Sequence, residues 1–336
     1  MAAVSAQSRS KSKARAPARQ VSVTTTARLH FGFLDPSGRG KRPFGSFGLS
    51  LDRPTTRIML ERADGFEAIG PERERGLRYL RSIAASSGRP TFYRLKIEEA
   101  IPPHAGLGSG TQLALAVGSA FAALEDLRLD AQEIATRLGR GARSGIGIAT
   151  FAQGGVVLDS GPRRGKLPQL VSRLPFPAEW RVLLIFDSSS SGLAGESETD
   201  AFDALPDFPE TEATELHQRI TESALPALEA QDFATFCDAV GQLQAAMGAY
   251  FSPLQGGPYA SAKIGQALDW LRHQGVSGLG QSSWGPTGFA FAASEAQGQA
   301  LLRGLRAEIR HQGLGFELAQ GRNEGAKIET TAGEIQ

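Results

Sequence analysis

Cysteine is almost missing from this chain: Cys237 stands alone, which excludes an intrachain disulfide framework and fits a reducing cytoplasm. Net charge is nearly missing too, at +1 from 36 Lys and Arg against 35 Asp and Glu. Nucleic-acid binding is dominated by phosphate neutralisation, so no nucleic-acid partner is expected of so balanced a chain. No run approaches the ~18 apolar residues of a membrane span, so no membrane association is expected. Acidic residues are absent from the first twenty positions, which hold Arg9, Lys11, Lys13, Arg15 and Arg19 among Ser, Ala and Pro. Lacking large apolar side chains for a second face, residues 1–20 read as a disordered basic tail rather than a targeting peptide. Cys237 itself, in the run Phe233 to Cys237, reads as a small buried hydrophobe on a helix face rather than a nucleophile.

Glycine, by contrast, is plentiful at 40 of 336 residues, and it gathers in loops. The chain is organised around Pro102-Pro103-His104-Ala105-Gly106-Leu107-Gly108-Ser109-Gly110-Thr111. Before it, Tyr93, Leu95 and Ile97 alternate with Arg94, Lys96 and Glu98, the period of a half-buried strand. After it, Leu113, Val117, Phe121 and Leu124 share one helical face, with alanines between them. Glycines permit close backbone approach, and the unpaired amides of a helix start favour an anion, so Gly106, Leu107, Gly108, Ser109, Gly110 and Thr111 form a candidate phosphate cradle. The alternative is a tight turn in which Ser109 or Thr111 is only an N-cap. The loop is neither Gly-x-Gly-x-x-Gly nor a Walker A sequence.

The first strand is expected from Val21 through Phe33, and Arg28, His30 and Asp35 cluster where it ends. They are candidate catalytic residues, the alternative being an edge-strand histidine and a surface arginine. Gly38 to Gly48 is a basic glycine loop with Arg39, Lys41 and Arg42, suited to an anionic substrate. A strand at Thr55–Leu60, a charged helix from Glu72 to Ser86, and a helix from Ala131 to Leu138 capped by Asp130 follow. In Gly139-Arg140-Gly141-Ala142-Arg143-Ser144-Gly145 the arginines Arg140 and Arg143 fit anion recognition by paired donors. Gly154 to Asp159 reads as a strand, Pro162 to Pro177 as a linker, and Trp180 to Phe186 as a buried strand. Beyond the Ser188–Gly192 loop, Glu196, Glu198 and Asp200 have a spacing that suits a divalent ion or the acidic start of a solvated helix. Helices dominate Glu212 to Gln274. A strand at Val276–Gln281, the loop Ser282–Gly288, a strand at Phe289–Phe291, a helix from Glu295 to His311 and a strand at Leu314–Ala319 suit an α+β layer.

The order of these motifs resembles the GHMP kinase superfamily: Pro103 to Thr111 looks like its phosphate-binding motif and Ser282 to Gly288 takes the place of its C-terminal glycine motif. The resemblance implies an α+β, GHMP-kinase-like two-domain fold, with an N-terminal domain like the second domain of ribosomal protein S5 over 21–178, a ferredoxin-like C-terminal domain over 179–325, and a flexible end at 326–336. Kinases of this group commonly carry an Asp shortly after a Ser-Gly pair. Here Ser144-Gly145 is followed by Ile146-Gly147-Ile148-Ala149, and no carboxylate occurs before Gly154-Gly155.

Arg28 to Asp35, Arg143 to Gly147, Gly192 to Glu196 and Gln281 to Thr287 together resemble the β-ribofuranosylaminobenzene 5'-phosphate synthase family. That resemblance implies condensation of phosphoribosyl pyrophosphate with 4-aminobenzoate or 4-hydroxybenzoate, losing pyrophosphate and carbon dioxide, on the way to tetrahydromethanopterin. It also implies a cytoplasmic homodimer, Mg²⁺ accompanying the pyrophosphate substrate, and a substrate pocket at Ser144, Gly145, Ser282, Ser283, Trp284, Gly285 and Thr287. Arg28, Arg140 and Arg143 would hold phosphate or carboxylate, and His30 and Asp35 would orient substrate or handle protons. The metal ligands are not assigned. An ATP-dependent kinase and a non-catalytic phosphometabolite sensor of the same fold are the rival readings.

Overall fold

The computed structural model describes residues 18–38, 44–88, 91–163, 166–190, 192, 196–309 and 313–332. Two sheets carry the fold. The first is built on β1 (Ala18–Asp35) and β2 (Phe44–Ala63), an antiparallel pair that runs far longer than the alternation around Thr55 suggests. Beside β2 lies β4 (Phe92–Glu99), then the short parallel β3 (Glu67–Ile69). The near end of β2 pairs instead with β5 (Val156–Asp159), which pairs β6 (Leu170–Leu174). The expected linker at Pro162–Pro177 thus contains a strand. It escapes the sequence pattern because an edge strand, with Val171 60% exposed, has no buried alternation to show.

Helices α1 (Arg73–Ser87), α2 (Ser109–Leu124), α3 (Ala131–Arg137) and α4 (Ile146–Gln153) belong to this half. Leu80, Ile83, Leu113, Val117 and Phe121 bury against Val21, Ile58, Leu95 and Ile97 of the sheet. Asp130 caps α3 in a reciprocal box with Glu133, as its spacing predicts. Gln112 is wholly buried inside α2, donating to the Gly147 carbonyl at 2.8 Å and accepting from Thr25, so it fixes α2 against α4 and β1.

The second sheet holds β7 (Arg181–Asp187), β8 (Leu279–Gln281), β9 (Gly288–Ala292) and β10 (Leu314–Ala319) in the antiparallel order β10-β7-β9-β8. With helices crossing between β7 and β8 and between β9 and β10, this is the ferredoxin-like arrangement expected of the second half. Between β7 and β8 come α5 (Glu196–Ala204), a continuous helical stretch from α6 (Glu210–Gln218) through a π-turn (Arg219–Ala224) to α7 (Leu225–Glu229), then α8 (Phe233–Gln255) and α9 (Ala262–His273). Helix α10 (Glu295–Glu308) precedes β10. Leu183, Ile185, Ala290 and Ala292 face α9 and α10, while Val182, Leu184, Phe289 and Phe291 face the other way, into a core shared with Phe31, Phe47 and Phe236 of the first half and α8. Phe31 meets Phe289 and Phe291 with ring centroids 5.4 and 5.6 Å apart. The halves are joined by one apolar core. Cys237 lies in it, its thiol pushed up by burial.

Both chain ends differ from expectation. Ala18–Gln20 belong to β1 rather than to the tail, the rest of which, 1–17, lies outside the described residues. Lys327–Ala332, expected to be flexible, form β11 (Lys327–Ala332) and pair antiparallel with β1. The outer edge of β1 would otherwise leave its amides and carbonyls unpaired. The polar sequence Lys-Ile-Glu-Thr-Thr-Ala, on an exposed edge, carries little pattern by which to read that role.

Candidate active site

The register of β1 against β2 breaks between Thr26 and Arg28 and again between His30 and Gly32. Such bulges re-aim side chains, and here they bracket Arg28 and His30. Both residues line a cleft of about 770 Å³ whose floor is the glycine loop. Gly106 and Gly108 are left-handed, with φ of 75° and 81°. A Cβ on Gly106 would stand 2.2 Å from the Ser282 carbonyl oxygen, so only glycine lets this loop touch the β8–β9 turn. The Ser282 hydroxyl donates to the Gly106 carbonyl at 2.8 Å and accepts the His30 amide at 3.0 Å. Arg28 donates to the same Gly106 carbonyl and lies flat against Gly108, its guanidinium carbon 3.3 Å from where a Cβ would be.

Gly108, not Ser109 or Thr111, is the N-cap of α2, and no side chain caps the helix. The amides of Ser109 and Gly110 have no acceptor among the described residues, whereas those of Thr111 and Gln112 turn back to the Gly108 carbonyl. Open donors are therefore fewer than the expected six residues: only the first two amides of α2 are left unpaired among the described residues, and Leu107 turns its side chain into the core.

Arg28, Arg75, Arg140 and Arg143 line the cleft with His30 and His104, and no Asp or Glu does so among the described residues. Arg140 Nη2 is 3.5 Å from the Thr111 hydroxyl, while its buried Nε has no partner. Arg143 stacks on Phe202 of α5, 4.8 Å from the ring centroid. Against the opposite wall, His30 is 3% exposed, and neither ring nitrogen has a hydrogen-bond partner. Burial, and then the charge of Arg28, hold its pKa well below the ordinary value, so the ring is neutral at pH 7.

His30, Phe33 and Ser283 also line a second, smaller cavity of about 20 Å³, bounded by Met247, Phe251 and Trp284. Phe33, Phe202, Phe251 and Trp284 form a continuous aromatic cluster around it, with Phe251 and Trp284 centroids 4.4 Å apart. A cationic cleft and an aromatic-lined cavity of about one water's size thus share one wall, with a neutral imidazole in it.

Of the residues expected from sequence, Arg28, His30, Gly106, Gly108, Ser109, Gly110, Thr111, Arg140, Arg143, Ser144 and Ser283 come together in the cleft, and Trp284 lines the smaller cavity. Asp35 does not reach either. It is buried at the end of β1 and accepts from the Ser37 amide and hydroxyl, which is a turn-forming role. Gly145, Ser282 and Thr287 are buried behind the lining, and Gly285 packs on the Gln281 amide, so they shape the walls and do not face a ligand. Arg39, Lys41 and Arg42, and the side chains of Glu196 and Glu198, lie outside the described residues. Among the described residues no group of three acidic, His or Cys side chains could hold a metal ion.

The sequence matches the GHMP kinases N terminal domain over residues 75–155 and the GHMP kinases C terminal domain over residues 224–311. It is 31% identical over 324 residues to the beta-ribofuranosylphenol 5'-phosphate synthase of Archaeoglobus fulgidus, covering 91% of this chain and 98% of that protein. The chain belongs to the β-ribofuranosylphenol 5'-phosphate synthase family. A second relative of that name, from Methanothermobacter thermautotrophicus, is 27% identical over 330 residues, covering 91% of this chain and 98% of its own. Among solved structures, the fold resembles homoserine kinase from Cytophaga hutchinsonii (TM-score 0.61, 17% identity, 96% and 100% of the two chains). It also resembles mevalonate pyrophosphate decarboxylase from Streptococcus pyogenes (TM-score 0.67, 16% identity, 92% and 99%).

In this member of the β-ribofuranosylphenol 5'-phosphate synthase family the sequence pattern hides a buried carboxylate, Asp159, at the end of β5. It accepts the amides of Gly145 at 2.7 Å, Gly161 at 2.8 Å and Ser46 at 3.1 Å, and so holds the Arg143–Gly145 turn at the cleft wall. Burial raises its pKa to about 6, against the pull of those donors. Because the folded value lies above the unfolded one, the group favours the fold at low pH, and that contribution is lost as pH rises to about 6. The charged form is the one that grips three amides. Activity is therefore expected to fall below about pH 6 as Asp159 takes up a proton. Asp159→Asn turns one acceptor into a donor facing an amide and should lower kcat/KM about tenfold at pH 8, given the ~1–3 kcal/mol cost of a buried unpaired donor. The acid limb near pH 6 should disappear from the variant's profile. An unchanged acid limb would assign that step to another group.

Proposed function

We propose that the cleft transfers the phosphoribosyl group of phosphoribosyl pyrophosphate to a para-substituted benzoate, with loss of pyrophosphate and carbon dioxide. The observation that carries this reading is the cleft's four arginines and two open helix amides, with no lining carboxylate among the described residues, sharing the His30 wall with an aromatic-lined cavity. The donor is strongly anionic and the acceptor is an aromatic ring, and the two must meet at ribose C1. The relatives' name carries a phenol, so 4-hydroxybenzoate is the acceptor favoured over 4-aminobenzoate.

As the C1–oxygen bond breaks, its electron pair leaves with pyrophosphate, and the amides of Ser109 and Gly110 with Arg28 stabilise the departing anion. The ring carbon bearing the carboxylate forms the new bond to C1. Carbon dioxide then leaves from that carbon and returns its electron pair to the ring. No proton is removed from the attacking carbon, so the step needs no carboxylate base, in keeping with Ile146-Gly147 following Ser144-Gly145. His30, neutral and with both buried ring nitrogens unpaired, accepts a hydrogen bond from the para-hydroxyl as the ring attacks, and the hydroxyl keeps its proton throughout. Among the described residues the lining offers arginines, amides and hydroxyls but no carboxylate for a divalent ion. Magnesium is therefore read as part of the substrate, carried on the pyrophosphate oxygens.

The same reading makes the chain a cytoplasmic homodimer serving tetrahydromethanopterin synthesis, and no helix among the described residues is long and apolar enough to cross a membrane. Purified protein should form the arene ribotide from phosphoribosyl pyrophosphate, magnesium and 4-hydroxybenzoate, and should not turn over ATP. Formation of ADP from ATP with a phosphorylated alcohol, and of no ribotide, would replace this reading with a kinase.

A further inference from the structure

In the cleft Arg28 lies against Gly108 of the glycine loop. Arg75 and Tyr79, one turn apart on the same face of α1, line the same cleft. The Tyr79 hydroxyl lies 3.7 Å, and Arg140 Nη2 3.4 Å, from where a Cβ on Gly110 would be, so both converge on the open start of α2. Arg75 holds Glu72 at 3.2 Å with one nitrogen and lies 3.4 Å from His104 Nε2 with another. The buried Arg140 Nε has no hydrogen-bond partner among the described residues. Leaving a buried donor unmade costs ~1–3 kcal/mol, a cost that an anionic ligand relieves.

We propose that Arg75, Tyr79 and Arg140 form a second phosphate subsite that takes the 5'-phosphate monoester of the sugar donor, apart from the subsite that takes its pyrophosphate. This rests on the phosphoribosyl donor reading and adds to it the orientation of the donor. His30, two residues along β1 from Arg28, lines both the cleft and the aromatic-lined cavity. The acceptor attacks C1, so C1 and the pyrophosphate it carries belong beside Arg28 and Gly108, and the 5'-phosphate belongs beside α1 and Gly110. A phosphate monoester dianion suits the donors there: a guanidinium presents paired N–H groups, and a phenol adds one more.

Two probes separate the subsites: ribose 5-phosphate and magnesium pyrophosphate, titrated by calorimetry singly and together. The wild-type protein should bind both at once, neither displacing the other. Arg75→Gln and the isosteric Tyr79→Phe should each weaken ribose 5-phosphate about tenfold and leave pyrophosphate within about twofold, matching the ~1.4 kcal/mol that one charge-assisted contact contributes. Direct competition between the probes in the wild type, or unchanged ribose 5-phosphate affinity in both variants, would overturn the second subsite while leaving the donor reading intact. Binding of neither probe to the wild type would remove the donor reading and the subsite together.

Discussion

Arg28→Gln is expected to lower kcat/KM for phosphoribosyl pyrophosphate by about 10²–10³, the range for removing a preorganised donor to a developing anion. Most of the loss should fall on kcat, because the pyrophosphate becomes more anionic as it departs. Two bulges aim this side chain, and its guanidinium lies against Gly108 beside the open amides of α2. Arg28→Lys keeps the charge but not the fork that spans the Gly106 carbonyl and a ligand, so it should recover only part of the loss. Steady-state kinetics on the three proteins, with folding checked by thermal melting, decide the point. An Arg28→Gln enzyme within threefold of wild type would take Arg28 out of the chemistry.

Gly106→Ala should be the most damaging single methyl group at the site. The left-handed backbone at φ 75° penalises any side chain, and the new carbon would meet the Ser282 carbonyl at 2.2 Å and the Gly285 carbonyl at 3.0 Å. Those contacts are backbone, which cannot rotate away, so the glycine loop and the β8–β9 turn must part. A destabilisation of roughly 2–4 kcal/mol is expected, with loss of pyrophosphate binding because the Ser282 hydroxyl no longer ties Gly106 to His30. Gly139→Ala is the control: its φ is 61°, but nothing lies within 4 Å of the added carbon. It should cost about 1 kcal/mol from backbone strain alone. Equal denaturation midpoints for the two variants would mean that the two loops are not held in contact in solution.

These effects trace which parts of the molecule could be read from residues. Where one face is buried, the pattern is strong: Tyr93, Leu95 and Ile97 in β4, and the apolar run Val182–Phe186 in β7, form as their spacing predicts. Edges carry no such signal, so the sequence of β6 reads as linker and that of β11 as a loose end. The candidate site divides along a similar line. Arg28, His30 and the glycine loop stand out because their residue types are costly in a strand or a helix start. Arg75 and Tyr79 look like the solvated face of a charged helix, and only the placement of α1 beside Gly110 makes them cleft residues. Asp159 ends an apolar strand and reads as its boundary. Its grip on Gly145, Ser46 and Gly161 depends on three segments that meet only in the fold. Asp35 errs in the other direction, since chain proximity to His30 suggested a shared site while the turn at Ser37 takes its carboxylate.

The central claim is that bond formation at ribose C1 is coupled to loss of the acceptor's carboxylate. It is tested most directly by supplying carboxyl-labelled 4-hydroxybenzoate with phosphoribosyl pyrophosphate and counting both released products. One carbon dioxide and one pyrophosphate should appear for each ribotide formed. Pyrophosphate released without labelled carbon dioxide, or a ribotide that keeps the label, would contradict it.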